Sequence, residues 1–424
     1  MATSIKKIVA ASLIGTTIEW YDFFLYGSAA ALVFNKLFFP ESDPLTGTLL
    51  SFLTYAVGFF ARPLGGLVFG HFGDRLGRKT LLVVSLLMMG AATLLIGCLP
   101  TYETLGPSAA LLLTGLRLVQ GFALGGEWGG AVLIVSEHGD TGRRGFWASW
   151  PQAGAPGGNL LATGVLAALA AWQSDAAFLA WGWRIPFLLS GVLVLIGLWI
   201  RLTITESPVF QQAEPEPTAP IVGVLRHHWK DVLIAIGARM AENISFYLLT
   251  VFVITYAKNA KIDNSTVLNA VLVASAIHFV TIPMWGALSD RVGRRPIYLA
   301  GAAGIGVWIF AFFPLVDTGS FLAITLAVTV GLLFHGMMYG PQAAFFSELF
   351  GTRMRYTGVS MGAQLSAIVA GAPAPIIAVA LLKGWSSSVP ISAYLGLAAV
   401  LSLVAVYAAR ETQGSDLAER IHAR

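Results

Sequence analysis

The chain has 424 residues, 56% of them hydrophobic and 11% charged, with a mean hydropathy of +0.74 and a formal charge of +4. Soluble domains carry about 25% charged residues, so this chain cannot cover a water-facing surface in the ordinary way, and a soluble enzyme is excluded. Nor does its positive charge indicate a nucleic-acid partner, because the basic residues sit in short loops and build no aromatic-interleaved basic face.

Apolar stretches of about 20 residues recur along the chain, long enough to cross a hydrocarbon layer of ~30 Å. Leu81 to Leu99 and Val389 to Ala409 contain no charge. In lipid such segments satisfy their backbone groups as helices. Spans are predicted near 8–34, 46–69, 80–99, 108–136, 146–172 and 184–204, and then near 229–257, 265–288, 296–316, 319–347, 357–382 and 389–410. The expected fold is therefore an all-α membrane protein of twelve transmembrane helices in two pseudo-symmetric six-helix bundles. The first bundle covers 1–204 and the second 229–424, which ends in a short tail. A polar connector at 205–228, stiffened by Glu214-Pro215-Glu216-Pro217, joins them. The basic start, Met1 to Lys7, leads into a hydrophobic segment that runs past Ala30, too long for a cleaved signal, so the first helix is expected to stay.

Loop charges orient the chain. With the N-terminus in the cytoplasm, eighteen Lys and Arg fall on that side, among them Arg75, Arg143, Arg291 and Arg353. Only Lys36, Arg184, Lys258, Lys261 and Lys383 fall on the other. Both termini are expected in the cytoplasm.

After the second span the loop reads Gly70-His71-Phe72-Gly73-Asp74-Arg75-Leu76-Gly77-Arg78-Lys79. After the eighth, 216 residues on, it recurs as Gly286-Ala287-Leu288-Ser289-Asp290-Arg291-Val292-Gly293-Arg294-Arg295. Ser136-Glu137 is likewise echoed by Ser347-Glu348, each with arginines beyond. Parallel repeats of this kind belong to carriers whose solute site lies between the halves. The glycines suit a tight turn, and Asp74 can meet basic residues or a neighbouring helix end. The loops, with Arg62, Glu137 and Glu348, are read as a cytoplasmic gate. Arg62 lies close enough to the helix end to snorkel.

Ionisable residues at membrane depth cost ~2.5–3.5 kcal/mol each even on lenient scales. For Glu19, Asp22, Arg62, Arg117, Glu127, Arg239 and Glu242 the sum approaches roughly 20 kcal/mol, so these groups must face a polar cavity or one another. Glu19 and Asp22, three apart, share a helix face. Two carboxyls in one low-dielectric cleft repel, so one is expected to hold a proton. Glu19, Asp22 and Glu127 are the candidate proton carriers, with static pairing to arginines as the bland alternative. In the fourth span Arg117 and Gln120 precede Gly121 and Gly125, a GxxxG pair that permits close helix approach. Arg117 could clamp a solute carboxylate in two-pronged fashion. Arg239, Glu242 and Asn243 mirror Glu19 and Asp22 at an offset of 220, with Tyr247 a turn on and Trp20, Tyr21 and Tyr26 opposite. These are the candidate solute-binding residues, although Arg239 and Glu242 could merely neutralise each other. His278 and His335 are single histidines in separate spans, read as packing, with a ligand or relay role as the alternative. No phosphate-binding loop, HExxH site or nucleophile elbow is present, and the lone Cys98 builds no zinc cluster, so no metal or cofactor is expected.

The duplicated loop resembles the signature of the major facilitator superfamily. Further stretches are similar to its metabolite:proton symporter family: Glu19-Trp20-Tyr21-Asp22-Phe23, Arg62-Pro63-Leu64-Gly65-Gly66, Gln120-Gly121-Phe122 with Gly125-Gly126-Glu127, Trp183-Arg184-Ile185-Pro186-Phe187 and Glu206-Ser207-Pro208-Val209-Phe210. The resemblance implies proton-coupled uptake of a small carboxylate-bearing metabolite, such as a dicarboxylate, oxoacid or shikimate-like acid, across a bacterial inner membrane. It also implies a pairing of Asp22 with Arg117 and drive by the proton gradient, while the absence of a phosphate loop leaves an ion gradient or the solute's own gradient as the energy source; a monomeric functional unit is expected. Uptake of a zwitterion such as proline or betaine, and proton-driven export, are the alternatives. The tail after Arg410 is too short for the coiled coil of the osmosensing relatives.

Overall fold

The computed structural model describes residues 5–76, 78–125, 131–132, 135–136, 141–203, 224, 226, 228–350 and 355–415. Among them no strand occurs, and the helices follow the predicted spans. The first half contains α1 (Ile5–Leu37), α2 (Pro44–Leu76), α3 (Arg78–Cys98), α4 (Ser108–Gly125), α5 (Arg144–Trp172) and α6 (Arg184–Thr203). The second contains α7 (Trp229–Asn259), α8 (Asn264–Val292), α9 (Arg294–Asp317), α10 (Phe321–Leu349), α11 (Thr357–Trp385) and α12 (Val389–Ala408).

Nine of these are long and apolar enough to cross a membrane by themselves among the described residues, and Asp175–Gly182 with α6 makes a tenth that is bent by 46°. In α3 the described side chains begin at Val83, and Val83–Cys98 is a further apolar stretch. Helix α5 is long enough but carries Ser149, Gln152, Asn159 and Thr163, all buried against other helices rather than facing lipid. Wide helices of π form interrupt α1 at Ala30–Phe34 and α7 at Leu248–Phe252, so the two halves share this irregularity at an offset of 218. Of the connector at 205–228, only Val224, Arg226 and His228 are described.

Small residues set how closely the helices pack. A Cβ on Gly121 would stand 1.8 Å from the carbonyl oxygen of Gly58, and one on Gly125 would stand 1.9 Å from that of Arg62. The predicted GxxxG pair of α4 therefore lies directly on the backbone of α2, where only glycine fits.

The halves touch at both ends. At the arginine-rich end, Arg144 Nη1 meets Glu348 Oε1 at 2.9 Å, and Glu348 is also held by Arg294 Nη2 at 3.1 Å. The amides of Gly145 and Phe146 donate to the two oxygens of Asp290 at 2.8 and 2.9 Å. The carboxylate of one half thus caps the start of α5 in the other, where the partial positive charge of a helix terminus favours an anion. Arg294 Nη1 reaches the same carboxylate at 2.7 Å. At the far end, Lys383 of α11 contacts Asp43 at 3.2 Å and also Thr46, and Lys258 Nζ donates to the carbonyl of Ala31 at 3.4 Å.

Candidate functional site

Between the halves lies a cavity lined by Thr16, Glu19 and Trp20 of α1, Arg62 of α2, Leu124 of α4 and Ala131. Arg239 and Asn243 of α7, with Ala363, Gln364 and Ala367 of α11, close it from the second half. An acid and two guanidinium groups thus share one cavity at membrane depth, the arrangement that the cost of burying charge demanded. Gln364 also donates to the carbonyl of Gly125 across the interface at 3.2 Å.

Arg62 is placed differently from the sequence expectation. It does not snorkel. It is 6% exposed and its guanidinium lies 4.6 Å from the Phe23 ring, 4.8 Å from Phe59 and 5.7 Å from Trp20. The aromatic faces attract the cation, and the charge is drawn inward to the cavity wall.

Glu19 and Asp22 also part company. Three helical steps turn the chain by roughly 300°, so the two side chains diverge by about 60°. Glu19 lines the cavity, whereas Asp22 points into the first bundle, 1% exposed, beside the hydroxyls of Ser190 and Thr93. Neither of its oxygens receives a well-aligned hydrogen bond.

The expected Asp22–Arg117 pair does not form. Arg117 is enclosed by Phe23, Tyr26 and Tyr55, whose ring centres lie 4.4, 4.6 and 4.5 Å from the guanidinium carbon. Its Nη1 donates to Gln120 Oε1 at 3.0 Å and its Nε to the Tyr55 carbonyl at 3.3 Å. Gln120 Nε2 in turn donates to Thr93 Oγ1 at 2.7 Å. The acid and the arginine are therefore linked through Gln120 and Thr93 instead of directly. The physical reason is the aromatic box: it neutralises much of the cost of the cation and leaves the carboxylate outside.

The remaining candidates divide between cavity and scaffold. Trp20, Arg239 and Asn243 line the cavity. Tyr21 is turned away, donating to the carbonyl of Pro186 at 2.5 Å, and the Tyr26 hydroxyl is paired with Thr54 at 2.7 Å. Tyr247 packs on Phe59 and Tyr55 at 5.7 and 6.2 Å, an aromatic seam between the halves. Glu242 sits one layer behind the cavity and accepts from Arg239 Nε at 3.1 Å, Asn243 Nδ2 at 3.2 Å and Gln342 Nε2 at 3.3 Å.

In the gate, Glu348, Asp290 and Arg294 meet as described, while Arg291 is exposed. Gly293 has φ 109°, a backbone conformation that favours glycine. The side chains of the first loop from Gly70 to Lys79, together with Gly77, Glu127 and Glu137, lie outside the described residues. Sequence reasoning missed the cavity positions Thr16 and Gln364, and it missed that His278 and His335 meet. Arg62 and His278 are separated by 216 residues, the period of the repeated loop, and that spacing was a usable signal.

The sequence profile of the Major Facilitator Superfamily matches residues 12–372 and 244–420. The chain belongs to the major facilitator superfamily. This member is 39% identical over 419 residues to the shikimate transporter of Escherichia coli strain K12, covering 96% of this chain and 95% of that one. It is likewise 39% identical over 421 residues to the inner membrane metabolite transport protein YhjE of the same strain, covering 97% and 96%. Against the proline/betaine transporter of that strain the identity is 31% over 436 residues, covering 97% and 85%. The fold matches the crystal structure of a D-xylose-proton symporter with a TM-score of 0.78 at 16% identity, covering 97% and 100%. This superfamily member is a multi-pass membrane carrier of small molecules and not an enzyme.

Proposed function

We propose that the protein takes up a small carboxylate-bearing metabolite together with protons by alternating access, drawing on the proton gradient across a bacterial inner membrane. One observation carries the reading: Arg62 and Arg239, one from each half, line the same cavity as Glu19. Guanidinium groups match a carboxylate in charge and shape, and a site between the halves is exposed to one side and then the other as they rock. Similarity to the shikimate transporter over nearly the whole chain supports an organic acid as solute.

In this scheme the arginine-rich end faces the cytoplasm, as do both termini, and a single chain suffices for transport. Asp22, behind the cavity, and Glu19, within it, hold the co-transported proton. Purified protein in proteoliposomes, given shikimate as probe and an acid-outside gradient, is expected to accumulate it until a protonophore is added. Accumulation unaffected by the protonophore, or retained in full by Asp22→Asn, would sink the proton assignment.

A second reading has its own support. Glu19 beside two arginines also suits a solute bearing an ammonium and a carboxylate, and the proline/betaine relatives align over most of their length. Proline and betaine supplied in place of shikimate separate the two. Efflux from loaded vesicles under the same gradient would point to export instead.

A further inference from the structure

Behind the cavity of the second half, three ionisable side chains from three helices stand in line. Glu242 of α7 holds the cavity arginine Arg239 through Oε2, while its Oε1 lies 3.5 Å from Nε2 of His335 on α10. Nδ1 of His335 lies 3.0 Å from Nε2 of His278 on α8. Nδ1 of His278, at the outer end, is buried without a hydrogen-bond partner, and so is Nε2 of His335, whose approach to Glu242 is an electrostatic contact and not a formed hydrogen bond. The three residues are 4%, 1% and 1% exposed.

Hydrogen-bond logic fixes the tautomers. A bare Nε2 lone pair on His335 would face the Glu242 carboxylate and be repelled, so that nitrogen carries the proton. His335 Nδ1 must then accept, and His278 Nε2 must donate. This leaves His278 Nδ1 as an open, buried proton acceptor, an expensive group to retain if it had no use.

We infer that His278, His335 and Glu242 form a proton wire in the second half, which loads a proton onto Glu242 and so releases Arg239 to the cavity. The inference rests on the proton-coupled reading above. A proton bonds to His278 Nδ1 as the Nε2–H bond breaks toward His335 Nδ1, and the Nε2–H bond of His335 breaks toward Glu242 Oε1. The products are two neutral imidazoles in the opposite tautomer and a neutral carboxylic acid, with one proton and one positive charge gained. A neutral Glu242 no longer balances the charge of Arg239, which is then offset by an anionic solute in the cavity instead.

The surroundings suit a wire. Phe246 of α7 packs on both rings, at 6.1 and 5.0 Å, and Tyr339 of α10 on His335 at 5.2 Å. The Tyr298 hydroxyl of α9 reaches Glu242 through Gln342. Arg62 and Tyr55 of α2 approach by way of Tyr247. Helix α5 brings Asn159 and Gln152 and no ionisable side chain beyond Arg144, and α12 brings Ser402.

The test uses the full chain labelled with ¹⁵N-histidine, so the proton chemistry is read without a solute. His278 and His335 are expected to titrate as one coupled unit, and Glu242→Gln is expected to move that titration by about 1 pH unit or more. Independent titration that Glu242→Gln leaves unmoved overturns the wire. In proteoliposomes with shikimate, His278→Gln and His335→Asn are expected to lower gradient-driven accumulation about 10-fold and to lower counterflow at equal pH much less. Equal losses in both assays mean structural damage and also overturn it. A wild type that exchanges shikimate but ignores the gradient fails the proton-coupled reading, while the coupled histidine titration still stands on its own.

Discussion

Arg144 and Glu348, contributed by opposite halves, meet at 2.9 Å with both side chains buried. Removing one partner of a buried pair strands the other charge, at a cost of about 3–5 kcal/mol. Glu348 holds Arg294 as well, so Glu348→Gln strands Arg144 and leaves Arg294 with the Asp290 carboxylate alone. The variant is expected to open the arginine-rich end. A cysteine placed at the buried Ser149, in a Cys98→Ser background, should then be alkylated at least about 10-fold faster. An unchanged rate would mean that the pair does not hold this end closed.

The contact between α4 and α2 supplies its own control. Gly121→Ala forces a methyl into the carbonyl of Gly58 and should destabilise the protein by about 1–3 kcal/mol. A Cβ on Gly115, in the same helix, meets nothing within 4 Å. Gly115→Ala should be neutral or raise the melting temperature slightly, because alanine favours helix over glycine. Equal melting temperatures for the two variants would contradict the close approach.

The two arginines of the first half should behave differently. Arg62 faces the cavity, and Arg62→Gln is expected to raise the half-saturating shikimate concentration by about 10-fold or more, the loss of one charged hydrogen bond, with little change in melting temperature. Arg117 is enclosed by three rings and tied to Gln120. Arg117→Lys loses the planar fork and should lower the melting temperature instead. Identical behaviour in both measurements would erase the distinction between cavity and scaffold.

The carboxylates outside the membrane set a pH dependence. The hydroxyl and amide of Thr46, followed by Lys383, hold Asp43 down to about 2. Burial pushes Glu411 up, but the amides of Arg294, Gln413, Arg295 and Thr412 more than offset it, and it titrates below the ordinary glutamate range. A depressed carboxyl contributes stability that is fully present above its unfolded value and is lost as the pH falls through the folded one. The melting-temperature gap between wild type and Glu411→Gln should therefore hold constant from pH 7 to pH 5 and close only in stronger acid. A gap that changes between pH 7 and pH 5 would contradict the assignment.

Much of this was legible in the residues, for physical reasons. Hydropathy and length mark the spans because lipid tolerates few alternatives, and a repeated Gly-x-x-x-Asp-Arg loop shows itself by its period. A helix end was one of two partners read for Asp74 of the first loop, whereas it is Asp290 of the second loop that meets one, at the start of α5, 145 residues away. Side-chain direction was harder. Periodicity put Glu19 and Asp22 on one face, yet a 60° divergence is enough to turn one toward the cavity and the other toward Thr93 and Ser190. Cation–π enclosure of Arg62 and Arg117 draws on rings of α1 and α2, and apart from Phe59, three residues before Arg62, none of them is near its arginine in sequence. His278 and His335 stand 57 residues apart on different helices, and only packing brings them together.

The stretch just after α12 ties down more than its own end. Glu411 caps the start of α9, Thr412 donates to Glu348 at 2.8 Å, and the Ser415 carbonyl accepts from Arg144 at 3.0 Å. Five residues thus lie across the seam between the halves, which the alternating-access proposal requires to part. A purification handle fused after position 424 would pull on that fastening from nine residues away. Turnover measured with and without the handle is then a measurement of the latch.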